Sequence, residues 1–265
     1  MDDRLIADEF FRGSYTTGFW VKGEFATKFK YMAMIANNLS TLGVSASQLD
    51  NTLDTTSVML QWLPTTGENG LYGTFGDFDN HQKVATRFGV HYTQQHRGQA
   101  EPARNRRDRE HARSGSTDGS SIFTPDLFGP GITVDKVRYQ MASVDGGVKY
   151  KGFSLEAEFF WRWLSDFRGT NTAGIADIDD HGYQVQASAM AIQETLQFYA
   201  GASGIYGDYG DASEVRAGAQ LVLRQAARAQ EFTANGFICG SAPSATPRFR
   251  IPSEATETSS TSTSK

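Results

Sequence analysis

Fifteen residues, YKGFSLEAEFFWRWL (Tyr150 to Leu164), constrain this chain more than any other stretch. Read with period two, Phe153, Leu155, Ala157, Phe159, Trp161 and Trp163 fall on one side, and Ser154, Glu156, Glu158, Phe160 and Arg162 on the other. Strand side chains alternate between faces in this way, whereas helical side chains recur every three or four residues. One face is therefore aromatic and the other largely ionic. A soluble sandwich would bury the aromatic face, and a membrane barrel would turn it outward to lipid and keep the ionic face around a wet lumen.

The same pattern recurs. Segments 17–25, 29–38, 56–64, 71–78, 83–94, 137–150, 181–192, 196–207 and 214–223 read as strands, which with the first makes roughly ten, each near the ~9–11 residues that a tilted strand needs to cross a bilayer. Tight links at Ala26–Lys28, Lys151-Gly152 and Gln193–Thr195 alternate with long polar ones at Leu39–Thr55, Gln95–Asp135 and Ser165–Asp180. Short turns on one rim and long loops on the other are the habit of outer-membrane barrels. Trp20, Tyr31, Trp62, Tyr72, Tyr150, Trp161 and Tyr206 stand near strand ends, where aromatic girdles meet the membrane interface.

Composition excludes some classes. A net charge of -5 over 265 residues gives no sign of a nucleic-acid binder. No run of about 18 apolar residues is present, so a transmembrane helix is not expected. The mean hydropathy of -0.44 is polar for a helical membrane protein but compatible with strands half of whose side chains face water. Cys239, the single cysteine, permits no intrachain disulfide. The opening MDDRLIADEFF lacks the basic and apolar regions of a signal peptide, which taken literally implies a cytoplasmic chain.

Motifs for chemistry are weak. The basic run ARNRRDREHAR has no interleaved aromatics and reads as a solvated loop rather than a nucleic-acid site. Asp177 to His181 (DIDDH) matches no calcium-loop spacing. Glu156 and Glu158 lie about 7 Å apart along one strand face, a separation compatible with paired-carboxylate hydrolysis but more often met in a lumen lining. The histidines show no metal-ligand spacing, and no cofactor motif is present.

The segments ADEFFRGSYTTGFWVKGE, NNLSTLGVSASQLDN, FGDFDNHQKVATRFGVHYT, IFTPDLFGPGITVDKVRYQMASVDGGVKYKGFSLEAEF and LQFYAGASGIYGDYGD resemble bacterial outer-membrane porins of the phosphate-selective porin O/P type. The resemblance covers most of residues 4 to 219, apart from 95 to 115. It implies an antiparallel barrel of about sixteen strands, commonly a homotrimer in outer-membrane lipid, that passes small hydrophilic solutes or anions such as phosphate by diffusion. Such a protein is not an enzyme and needs no cofactor or metal. Inward lysines and arginines make phosphate preference in the family. Here Lys22, Arg87, Lys149 and Arg162 are the pore-lining cations, interspersed with Glu156 and Glu158, so general diffusion is expected rather than strict phosphate selectivity.

These readings define an incomplete all-β transmembrane barrel. Residues 1–17 form a partial lead-in, 18–223 a partial barrel with a long loop over 95–135, and 224–265 a disordered or out-of-frame tail. The arginine-rich 96–115 and the tail from 220 both depart from the pattern. For suitably chosen codons a one-base shift turns the residues after Ala219 into Ala-Asn-Trp-Tyr-Phe, so both segments are read as out-of-frame translations, testable on the nucleotide sequence. A barrel lacking strands should be an open sheet with long edges or a forced smaller closure. The competing expectation is a soluble, secreted β-sandwich that binds carbohydrate.

Overall fold

The computed structural model describes residues 4–11, 17–37, 53–69, 75–99, 122–223 and 232–242. The fold is all-β: one antiparallel sheet of ten strands, in which each strand pairs with its neighbours in sequence. In order these are β1 (Gly18–Phe25), β2 (Phe29–Ala36), β3 (Thr55–Trp62), β4 (Ala85–Gln99), β5 (Thr133–Tyr150), β6 (Phe153–Thr170), β7 (Ile178–Ile192), β8 (Leu196–Gly207), β9 (Gly210–Leu223) and β10 (Phe232–Ala242). Helical structure among the described residues amounts to α1 (Ile6–Phe11) and one 3-10 turn at Thr172–Gly174. The sheet is not closed: β1 and β10 each keep an unpaired edge among the described residues.

Local chemistry explains the meander. The β5–β6 turn has Lys151 and Gly152 both at positive φ, 47° and 83°, which is the two-residue hairpin geometry whose twist suits the flanking strands. The β1–β2 and β7–β8 links, residues 26–28 and 193–195, lie on the same rim. From that rim β5 and β6 run for 18 residues each, the longest pair in the sheet. Their far ends carry register shifts at Val134/Lys136 and Lys136/Arg138, where bulges bend the strands.

Four expectations need correction. Segment 71–78 is not a strand where it is described: residues 75–83 are bends and turns, and Gly76 has φ +98°, which extended backbone cannot accommodate. The described parts of the β3–β4 link, residues 63–69 and 75–84, hold no strand and lie at the short-turn rim. The tail is not structureless throughout, since β10 pairs along β9 in unbroken register from Phe232↔Leu223 to Ala242↔Ser213; residues 224–231 and 243–265 lie outside the described residues. The loop placed at 95–135 is shorter, because β4 continues to Gln99 and β5 begins at Thr133. The link placed at 165–180 shrinks likewise, as β6 extends to Thr170 and β7 starts at Ile178.

The two faces of the sheet differ. One is bare and apolar: Phe88, Val90, Val144, Phe153, Leu155, Phe198 and Val215 are all exposed on it. The other is covered by α1 and, at the short-turn rim, by residues 75–84. A first core cluster on the covered face unites Ile122, Val137, Tyr139, Leu164 and Ile178 near the long-loop rim. A second joins Ala7 and Phe11 of α1 to Phe160 and Ile205, with Phe11 and Phe160 stacked at 5.1 Å. Burying such aromatics contributes roughly 1.5–3 kcal/mol each, so the lead-in is an integral part of the fold.

Candidate functional site

The ionic side chains of the covered face form a band across four adjacent strands. Strand register places them together: Arg87 lies opposite Gly147, His91 opposite Ser143, Asp145 opposite Glu158, Gly147 opposite Glu156, and Glu158 opposite Gln184. Arg87 Nε stands 3.1 Å from Asp145 Oδ1, and its Nη2 stands 3.6 Å from Glu156 Oε2. His91 Nε2 is 2.8 Å from Asp145 Oδ2, and Gln184 Nε2 donates to Glu158 Oε2 at 3.1 Å. Two cations, Arg87 and Lys149, share this band with three carboxylates, Asp145, Glu156 and Glu158.

Backbone space maintains the cluster. A Cβ built on Gly89 would meet Asp145 Oδ2 at 1.8 Å, so the glycine between Arg87 and His91 leaves room for the carboxylate that both residues bind.

The sequence-derived candidates land in three different settings. Arg87, Glu156 and Glu158 join the band as described. Lys149 is on the same face but is only 1% exposed, with the carboxylates of Glu156, Asp77 and Asp79 in electrostatic reach. Arg162 is fully buried: its Nε and Nη2 donate to Asp180 Oδ2 at 2.9 and 2.6 Å, and the Phe10 ring of α1 covers the guanidinium at 4.1 Å. Both side chains are thus buried on the covered face, Arg162 beneath Phe10 of α1. Lys22 lies on edge strand β1, opposite Met32 and exposed, away from the band. Trp20 shares that face rather than the apolar one, so it joins no outer girdle.

Asp145, His91, Asp180 and Gln184 complete these clusters. Period-two counting from Lys149 reaches Asp145, and from Arg87 reaches His91, so parity alone was sufficient to find both. Nothing in local sequence pairs Arg162 with Asp180; that contact depends on the β6–β7 register, Arg162↔Asp180.

At the short-turn rim residues 75–84 fold onto the covered face. Asp77 is fully buried and its carboxylate accepts the backbone N–H of Gly152 at 2.8 Å and, shared between its two oxygens, that of His81 at 3.1–3.2 Å. The His81 ring bridges two carboxylates, with Nδ1 on Asp77 Oδ1 and Nε2 on Glu68 Oε2 at 3.0 Å. Burial by itself would raise Asp77 and lower His81. The hydrogen bonds between them, with those from Gly152 and to Glu68, outweigh it, so Asp77 sits below the usual carboxylate range and His81 above the usual imidazole value.

The bare face has its own order. Phe25, Phe29, Trp62 and Phe88 form a row near the short-turn rim, with ring centroids 5.0, 6.1 and 5.9 Å apart. A second row towards the other rim comprises Phe159, Trp161, His181, Tyr206 and Tyr183. Between them lie Val, Leu and Ala: Leu60, Val90, Val144, Leu155, Ala157, Val185 and Ala202.

Among the described residues no group of three or more His, Cys, Asp or Glu is arranged to hold a metal ion, and no described helix is long and apolar enough to cross a membrane. Comparison with known proteins found no matching family model, no matching curated protein and no matching solved structure.

Proposed function

We propose that the chain is part of an outer-membrane, porin-type barrel whose bare face meets lipid and whose covered face lines a passage for small hydrophilic solutes. The observation that carries this reading is the inversion of the two faces. Unpaired apolar side chains occupy the open surface, while ion pairs and buried polar groups occupy the enclosed one. A soluble sheet protein does the reverse, because an exposed apolar patch of this extent invites association. The spacing also suits a bilayer. Phe153 and Trp163 are ten residues apart on β6, and at ~3.3 Å per residue with a tilt near 40° they are separated by ~25 Å along the membrane normal, the height of an outer-membrane apolar band.

The carboxylate excess in the band argues for general diffusion over phosphate selection, since anion preference needs an excess of lumen cations. Glu156 and Glu158 are engaged by Arg87 and Gln184, an arrangement suited to a polar lining rather than to acid–base chemistry. In a complete barrel the open edges would be paired, as lipid cannot satisfy their N–H and C=O groups. A homotrimeric assembly belongs to the same proposal.

Single-tryptophan variants in vesicles of brominated lipid test it. Trp62, Trp161 or Trp163 alone should be quenched strongly, and Trp20 alone much less. A chain that folds cooperatively in plain buffer, with no quenching at Trp161 or Trp163, would instead favour the soluble carbohydrate-binding sandwich.

A further inference from the structure

The 63–84 connection is long for a link on the short-turn rim, and its contacts are out of proportion to a passive turn. Besides the Asp77–His81–Glu68 bridge, it is tied to two hairpin turns of the sheet. Lys151 N–H donates to His81 O at 2.9 Å from the β5–β6 turn. Gln193 Nε2 donates to Asp77 O and Phe78 O at 3.0 and 2.7 Å from the β7–β8 turn. Gly76 rests against Gln197 of β8, where a Cβ would meet Gln197 Nε2 at 2.3 Å. The segment therefore reaches from β4 across to β8 and buries Gln197 to 2% exposure.

We propose that residues 75–84 are a pH-operated latch over the short-turn end of the covered face, closed while His81 bridges Asp77 and Glu68 as an imidazolium and released when that bridge loses its charge. The hydrogen bonds from residues 75–84 to the two hairpin turns all originate within the stretch Asp77–His81, so one protonation event bears on the docking of the whole segment. Asp77 satisfies an inward group of the segment and the Gly152 N–H of the sheet at once. A neutral imidazole donates from only one nitrogen and would release one of the two carboxylates. The charges facing His81 are few. Its own segment supplies Asp77 and Glu68, with Asp79 and the exposed Lys83 beyond them. β5 supplies the buried Lys149, whose positive charge opposes protonation; the β5–β6 turn supplies a backbone N–H from Lys151, and the β7–β8 turn supplies neutral Gln193 beside Glu194. Burial opposes the charge on His81, and the two adjacent carboxylates outweigh it, so that His81 stands above its ordinary value. The latch rests on docking contacts alone and holds whether the bare face meets lipid or water.

The test uses full-length chain with Cys239→Ser, in whichever medium sustains the fold. A reporter thiol at Gln197→Cys, under the latch, is compared with one at Phe198→Cys, on the open face. Their maleimide labelling rates are measured at the same pH, so their ratio cancels the chemistry of the reagent. The ratio should rise at least about tenfold between about pH 6 and about pH 9, on either side of a raised histidine value. In Glu68→Gln, which alters only the half-exposed partner, the rise should shift to lower pH. In His81→Gln the ratio should be high and flat. A wild-type ratio that is flat across this range overturns the latch. So does a rise whose midpoint is the same in Glu68→Gln, which remains decisive if His81→Gln fails to fold.

Discussion

Replacing Arg162 with Met should be among the most damaging single changes in the sheet. The guanidinium and the Asp180 carboxylate both have fully buried side chains, and they are joined by two donors on one oxygen at 2.6 and 2.9 Å. Removing the cation leaves a carboxylate in a site closed to water by Phe10 and Phe11. Breaking a buried pair from one side costs about 3–5 kcal/mol, several times the ~0–1 kcal/mol of an exposed pair. The loss of the Phe10 contact, up to about 2 kcal/mol for a desolvated cation over a ring, falls within the same event and should not be added in full. Asp180→Asn should also destabilise, and the double variant Arg162→Met/Asp180→Leu should return to within about 1–2 kcal/mol of the parent, because no charge is then left unpaired. Urea unfolding followed by the fluorescence of Trp161 and Trp163, which flank Arg162, gives all three values. Raising the salt concentration should leave the coupling energy nearly unchanged, since a buried pair is screened little. A single-variant loss below about 1 kcal/mol, or a coupling that fades with salt, would mean that water reaches the pair and that α1 does not seal it.

Gly182→Ala should displace α1, because its Cβ would stand 2.5 Å from Phe11 Cε2 and 2.8 Å from Gly204 O; a loss of about 1–3 kcal/mol with faster hydrogen exchange confined to residues 4–11 is expected. Asp77 contributes stability above its ordinary carboxyl value that is lost as pH falls through its lower folded value, whereas His81 contributes stability below its ordinary value that is lost as pH rises through its higher folded one. Wild type should thus lose stability at both ends relative to Asp77→Asn, as thermal melts against pH would record. The chain alone should give no reproducible single-channel steps in planar bilayers, because the β1 and β10 edges are unpaired among the described residues; if steps do appear, their reversal potential should show no preference for anions.

Period-two alternation was enough to locate β6 and its neighbours, because one apolar and one ionic face leave a strand no choice of orientation. The tight links at 26–28, 151–152 and 193–195 were legible for the same reason: two alternating runs with opposite ends in contact need a turn between them. Failures occurred where contacts overrode pattern. Phe75 and Phe78 belong to a segment that resembled a strand, but Gly76, at φ +98°, bends the chain to reach Gln197, and Tyr72 lies outside the described residues. β10 carries little alternation in FTANGFICGSA and takes its register from β9. At six residues, α1 is too short to show a periodicity, and only its docking on Phe160, Ile205 and Arg162 makes it a helix. Asp180 was visible as part of an acidic cluster, but its partner lies 18 residues away and is chosen by strand register.

The docking of α1 also dictates an order of events. Ile6 N–H binds Glu214, 208 positions along the chain, Ala7 N–H binds Ser203, 196 positions along, and Arg216 donates to the carbonyl of Arg4. The segment that precedes β1 is therefore completed by strands that lie far along the chain. Until β6 to β9 have paired, Phe10 and Phe11 have no surface to cover, and closing so long a loop must precede any gain from it. A hydrophobic segment that waits this long is the natural handhold for a chaperone, and its insertion marks the moment at which β6 to β9 have paired.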